Sequence, residues 1–367
     1  MTDQTVPLAA SRRDLILDVL ARTGAVRVSQ LTEEFGVAAV TLRRDLQQME
    51  SEGLLVRVHG GAVPPPGGVV PRPTGLDVTA VGGRIGVLVP SLDFYWPAVV
   101  RAMEQDARSR GMSLLLRGTS YDLQDERPVL ERMLEADGVA GLVVAPNTDT
   151  EYAQDVVSWL GAAGVPFVLV ERDAVHGRDG APVEAVATDH ALGAVLAARH
   201  LAHLGHRRVG LLISRSSPTS RKIIAGWSAA CRELELTPSE HVERLLPDPS
   251  IPGFSKAVDA VLDAVLTAGV TALLVHSDRE AMAIVDLALA RGLDVPGDLS
   301  VIAYDDEYAE LFTPALTAVS PPRAALGRAA LDLLLARMAD PERPVHRVTL
   351  SPTLNVRAST GAPRDAR

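Results

Sequence analysis

Residues Val40–Val63, VTLRRDLQQMESEGLLVRVHGGAV, carry two different periodicities within one short stretch. Leu42, Leu46 and Met49 recur at i, i+4 and i+7, one face of an α-helix over Ala39–Ser51. Val40, Arg44 and Gln47 fall on the opposite side, with Thr41, Arg43 and Gln48 on the flanks. Gly53 ends that pattern, LLVRVH alternates toward a strand, and Gly60-Gly61 reads as a turn.

Working outward, SRRDLILDVLARTG over Ser11–Gly24 has helical spacing, with Ser11 as cap and Gly24 as stop. VSQLTEEF over Val28–Phe35 forms a second short helix, and Gly36-Val37 a tight turn. Helix, helix, turn, helix and β-hairpin make a small α+β winged helix-turn-helix. In that arrangement the third helix enters the major groove of double-stranded DNA. The expected DNA contacts are Thr41, Arg43, Arg44 and Gln47 on the helix and Arg57 and His59 on the wing. A small helical interaction domain with solvated arginines is the alternative reading of the same pattern.

The 367-residue chain has a formal net charge of −10, so its whole surface is not that of a nucleic-acid binder. Even up to Val63, seven arginines face eight acids, and the DNA reading rests on placement rather than net charge. Lysine occurs only at Lys222 and Lys256, which leaves arginine as nearly all of the positive charge. Cys231 is the one cysteine, which excludes an intramolecular disulfide framework and a multi-cysteine metal site. No apolar run reaches the roughly 18 residues of a membrane span. The opening residues lack the pattern of a secretion signal, and a cytoplasmic location is expected.

PPPGGVVPRPTGLDVTAVGG, residues 64–83, is rich in proline and glycine and reads as a linker between domains at 8–63 and 84–360. Beyond it, RIGVLVP, VAGLVVAP, VPFVLVE, RRVGLLI, VTALLVH and LSVIAYD are short apolar runs, mostly separated by helical stretches. Strands apolar on both faces and alternating with helices form parallel sheets in an α/β fold. The length favours two lobes with a cleft. Ligands of such sheets lie outside the carboxyl ends of the strands. That rule selects Ser91, Asp93, Tyr95 and Trp96, then Asn147 and Asp149, Glu171 and Arg172, Ser214 to Arg221, Ser277 and Asp278, and Asp305 and Asp306. Carboxylates and arginines suit polyhydroxyl ligands, and Tyr95 and Trp96 offer apolar faces to a ring. Helix capping, ion pairing and core packing are the competing uses of these same side chains.

Two resemblances add to this reading. Arg12–Pro65 resembles the DeoR-type N-terminal domain, through RRD at Arg12–Asp14, Leu31, Phe35, Gly36 and Val37, TLRRDL at Thr41–Leu46, E-x-x-G-L-L at Glu50–Leu55, and RVHGGA at Arg57–Ala62. Ala38 departs from it, standing where that family usually carries a serine cap. Arg84 to about Arg357 resembles the effector domain of the LacI/GalR family, a periplasmic-binding-protein-like fold. The stretches that carry this are Leu192–Leu212, Ala225–Ala230, Ser277–Asp306 and Thr313–Leu335.

The second resemblance implies effector contacts at Tyr95, Trp96, Asp189, Ser277, Asp278 and Asp305, to which the strand-end rule adds Arg172 and Arg221. The arginine that this family usually places three residues before the Gly-aromatic pair is replaced by Ile223, with Arg221 two residues earlier. Together the resemblances imply a homodimeric transcriptional regulator, a repressor, acting on a pseudo-palindromic operator and controlled by a sugar or sugar derivative. A purine or nucleoside effector is the first alternative, and a non-regulatory small-molecule-binding protein the second. His190, His200, His203 and His206 cluster in sequence but lack HExxH, and no Walker A, GxSxG or GxGxxG motif is present. No enzyme activity, metal, cofactor or membrane association is expected.

Overall fold

The computed structural model describes residues 16, 19–20, 25–35, 37–51, 55–58, 60–63, 83–148, 150–176, 180–214, 217–238, 244–247, 249 and 252–364. The chain divides into two units, Met1–Ala80 and Val81–Arg367.

In the first unit, β1 (Val26–Arg27) leads into α1 (Val28–Phe35), α2 (Ala39–Ser51), β2 (Val56–Val58) and β3 (Gly61–Val63). Leu42, Leu46 and Met49 of α2 are fully buried and close on Leu31 and Phe35 of α1. Ile16, Val19 and Leu20, from the expected first helix, belong to the same core; most of that helix and the linker lie outside the described residues. The wing has one strand more than expected, because β3 pairs antiparallel with both β2 and β1. The glycine pair serves this in two ways. Gly60 turns the hairpin at φ 81°, and a Cβ on Gly61 would lie 1.8 Å from the Val26 carbonyl oxygen. At the start of α2, Thr41 N donates to Ala38 O at 2.9 Å, and alanine brings no side-chain acceptor to that cap.

The larger unit has two parallel sheets. The first lobe contains β4 (Arg84–Val89), α3 (Tyr95–Ser109), β5 (Ser113–Gly118), α4 (Arg127–Asp137), β6 (Val139–Val144), α5 (Ala153–Ala162) and β7 (Phe167–Val170). A small hairpin of β8 (Val175–His176) and β9 (Ala181–Pro182) precedes β10 (Ala185–Thr188). The second lobe follows with α6 (His190–His203), β11 (Arg208–Ser214), α7 (Ser220–Glu233), β12 (Thr237–Pro238), β13 (Arg244–Leu246), α8 (Phe254–Thr267), β14 (Ala272–Val275), α9 (Asp278–Ala290), β15 (Ser300–Tyr304) and β16 (Thr317–Ser320). The chain then returns through α10 (Arg323–Ala339) and β17 (Arg347–Leu350) to the first lobe, and ends with β18 (Thr353–Asn355) in the second.

The strand orders are β17-β10-β7-β6-β4-β5 and β12-β11-β14-β15-β16-β18, with β13 also on β11; only the β16–β18 pairing is antiparallel. The six apolar runs of the sequence are β4, β6, β7, β11, β14 and β15, and β14 and β15 are buried at every residue. In each lobe the order reverses beside the first strand, at β4/β6 and at β11/β14. These are the switch points where crevices open in such sheets. Among the described residues the chain crosses between lobes after β10, after β16 and between β17 and β18. None of the described helices is long and apolar enough to cross a membrane.

Helix packing in this unit depends on close backbone approach. A Cβ on Gly226 in α7 would lie 2.2 Å from the Ala191 carbonyl oxygen of α6. Since the neighbour is backbone, it cannot swing aside. Gly226→Ala should therefore cost about 1–3 kcal/mol, read as a lower thermal midpoint; an unchanged midpoint would contradict the contact. Ala38→Ser should instead stabilise the first unit by about 1 kcal/mol through its cap, measured by chemical denaturation.

Candidate functional site

Two surfaces carry the residues singled out in the sequence. On α2, Arg43, Arg44 and Gln47 are exposed, Thr41 is half-buried, and Val40, just before Thr41, is 71% exposed. Asp45 turns inward and is buried. The wing is tied to the end of this helix, since Arg57 donates to Glu50 from its backbone N at 3.0 Å and from Nε at 2.7 Å. The bonds from Arg57 hold the Glu50 carboxyl below its ordinary range. Arg57 stays exposed beyond that pairing. His59 lies outside the described residues.

The second surface is a cavity of about 170 Å³ in the larger unit, lined by both lobes. The first lobe contributes Ser91, Asp93, Phe94, Tyr95, Trp96, Tyr121, Glu171 and Arg172. His190, Ser214, Ser217, Thr219, His276, Ser277, Arg279, Glu280 and Asp305 come from the second. Strand ends at both switch points therefore meet here, as the topology requires.

Glu171 is the centre of the cavity floor. Its carboxylate accepts from Tyr95 Oη, from Thr188 N at 3.0 Å and Oγ1 at 2.6 Å, and lies 3.0 Å from His190 Nε2. Burial pushes its pKa up, but the charge and hydrogen bonds of His190, with those of Thr188 and Tyr95, overcome this and hold it at about 2. His190 Nδ1 lies 3.1 Å from Tyr304 Oη, which sits where a Cβ on Gly193 would fall. Trp96, 2% exposed, donates through Nε1 to Tyr121 Oη at 3.0 Å. Arg172 is buried and donates to the carbonyls of Pro146 and Glu171 at 2.6 and 2.9 Å. Asn147 stands behind this wall, where its Nδ2 holds the Tyr121 carbonyl at 2.6 Å.

Asp305 faces the cavity, and among the described residues its carboxylate lies 4.0 Å from His276 Nε2. Burial, with Asp278 as the next contributor, raises its carboxyl to about 8. Burial likewise lowers His276 to about 3, so that ring is neutral at ordinary pH. Among the described residues five non-glycines have positive φ, and Phe94, Glu171 and Asp305 of these line the cavity. Strained backbone held by its surroundings collects at functional positions.

Of the eight effector contacts expected from the sequence, Tyr95, Trp96, Arg172, Ser277 and Asp305 meet at the cavity, and three do not. Asp189 caps α6, accepting from Leu192 N at 2.9 Å. Asp278 is consumed by the next loop, where it accepts from the backbone N of Asp306, Glu307, Tyr308 and Ala309 at 2.6–3.2 Å. Arg221 stands exposed in the first turn of α7, because residues two apart on a helix face away from each other and Ile223 is the one turned inward. Ile223 is fully buried beside Trp227 in an apolar core. Sequence reasoning missed Phe94, Tyr121, His190, His276, Arg279 and Glu280 as cavity residues. His276 ends the apolar run VTALLVH, and that polar terminus at a strand's carboxyl end was the available signal.

Comparisons with known proteins follow the same division. Residues 12–65 match the DeoR-like helix-turn-helix domain, and residues 198–360 match the periplasmic binding protein-like domain. Over 299 residues the chain is 35% identical to an uncharacterized HTH-type transcriptional regulator in the aml 5'region of Streptomyces limosus, covering 79% of this chain and 82% of that one. It is 25% identical over 341 residues to the arabinose metabolism transcriptional repressor of Geobacillus stearothermophilus, covering 90% of each. A dimeric Lac repressor with an 11-residue C-terminal deletion matches with a TM-score of 0.64 at 25% identity, over 77% of this chain and 100% of that one.

A carboxyl with a raised folded pKa binds its proton more tightly in the native chain. Its contribution to stability is complete below about pH 4 and is lost as the pH rises through about 8. Asp305→Asn removes this titration. The midpoint gained by the variant over wild type should grow between pH 4 and 8 and level off above, measured by thermal denaturation across pH. A constant offset would show that Asp305 ionises normally.

Proposed function

The chain belongs to the LacI family of helix-turn-helix transcriptional regulators, here with a DeoR-like DNA-binding domain, and we propose that it is a repressor whose hold on its operator is set by a small polyhydroxylated effector bound between the lobes. The observation that carries this reading is the convergence of Tyr95, Trp96, Arg172, Ser277 and Asp305 from both lobes on one cavity. Ring faces from Tyr95 and Trp96 suit the apolar side of a sugar, and directional polar groups suit its hydroxyls. Asp189 and Asp278 act through position, the first by capping α6 and the second by holding the loop that follows Asp305. The arabinose repressor supports a sugar as the effector class.

Because the cavity wall is divided between the lobes, a ligand that touches both favours one lobe arrangement over the other. It shifts that equilibrium only by its differential affinity for the two. On the DNA side, Thr41, Arg43, Arg44 and Gln47 face the major groove, with Arg57 and His59 at the wing. The protein works in the cytoplasm as a homodimer on a pseudo-palindromic site, a reading supported by the dimeric Lac repressor.

The test is a thermal-shift screen of the full chain against sugars, sugar phosphates, nucleosides and purines, where a ligand at a hundredfold excess over its Kd stabilises by about 2.7 kcal/mol. A sugar hit abolished by Asp305→Ala supports the reading; a purine or nucleoside hit replaces the effector class. Arg44→Ala should weaken binding to a duplex selected from a random pool and reduce the salt slope by about 1, with the ligand-induced shift retained. Equal damage to both activities by both variants would overturn the division of labour.

A further inference from the structure

The cavity's charged groups are unequally committed. Glu171 spends its oxygens on Tyr95, Thr188 and His190, and Glu280 accepts from Ser277 N at 3.0 Å and Oγ at 2.7 Å. Arg279, in the first turn of α9, is different. Its guanidinium lies 4.8 Å from the ring centre of Phe94, on the opposite lobe, and makes no hydrogen bond or ion pair among the described residues. A guanidinium held over a ring face is attracted to it without spending its N–H groups on an acceptor, and those groups match an oxyanion in bidentate fashion.

Two further observations point to a ligand at the same place. His276 is 6% exposed, lines the cavity, and its Nδ1 has no hydrogen-bond partner among the described residues. The N-terminus of α7 also opens here, with the hydroxyls of Ser217 and Thr219 2.8 Å apart. Helix N-termini favour negative charge.

We propose that the effector carries an oxyanion, a phosphate or a carboxylate, on its polyhydroxylated body, and that Arg279 binds it edge-on while Phe94 supports the guanidinium from the other lobe. This rests on the reading of the cavity as the effector site. It assigns to α9 the cation that Ile223 withholds from α7, and it makes Arg279 the residue that selects a charged effector over its neutral parent.

The experiment is calorimetric titration of the full chain with matched probes: D-glucose, D-gluconate and glucose 6-phosphate; D-ribose and ribose 5-phosphate; and inorganic phosphate alone. In one set the anionic member should bind at least tenfold more tightly than its neutral parent, and the gap should narrow with salt. Gluconate against glucose 6-phosphate separates carboxylate from phosphate. Arg279→Gln should remove at least that tenfold preference, Arg279→Lys should restore part of it, and Phe94→Ala, which keeps the charge, should lower it. A neutral sugar binding equally to wild type and R279Q overturns the oxyanion inference and leaves the polyhydroxyl cavity standing. An anionic ligand indifferent to both R279Q and F94A overturns the assignment to Arg279. Silence from all these probes, with a purine or nucleoside binding instead, overturns both readings.

Discussion

The buried carboxylate of Glu171 is the constraint on which the larger unit depends. Removing an ionised carboxylate from water costs several kcal/mol unless donors replace the lost hydration. Here the donors come from three elements: Tyr95 at the head of α3, Thr188 at the end of β10, and His190 at the start of α6. Thr188 and His190 flank the first crossing between lobes, and His190 passes the network on to Tyr304 at the end of β15. Satisfying one charge thus joins the two sheets at the cavity floor. The left-handed backbone of Glu171, φ 56°, is part of the same arrangement.

A second clamp holds the opposite wall. Asp305 and Asp306 both have positive φ. Asp278 receives the four backbone N–H groups that follow, Arg323 donates to the carbonyls of Asp305 and Asp306, and Arg357 pairs with the Asp306 carboxylate at 2.7 Å. Arg323 begins α10, which packs on the first lobe. The turn that presents Asp305 is therefore fixed from both lobes.

Much of this was legible in the chain. The α2 stripe and the apolar runs of β4, β6, β7, β11, β14 and β15 stand out because burial on one or both faces leaves a period that a reader can count. AVAT in β10 and TAVS in β16 did not, being short and made of small residues with little hydrophobic contrast. The strand-end rule selected loops that supply much of the cavity lining, but it cannot say which way a side chain turns within one. Asp189 and Asp278 were read as effector contacts, yet their oxygens go to backbone donors rather than to the cavity. Arg279 was hidden for the converse reason: inside a helix pattern an arginine reads as a solvated face, and only tertiary structure brings the Phe94 ring beneath it.

The positive φ values at Phe94, Glu171 and Asp305 also bear on how such a pocket can diversify. β-branched side chains are strongly disfavoured in that region of backbone space, and asparagine, aspartate and glycine are the easiest occupants. Drift toward a new ligand has few viable substitutions at those three points of the wall. Variation is cheaper at Ser217, Thr219 and Arg279, which are not among the positive-φ positions. A lineage built on this scaffold would keep its floor and exchange its rim, so the history of its ligands would be written in α7 and α9 rather than in the strained turns.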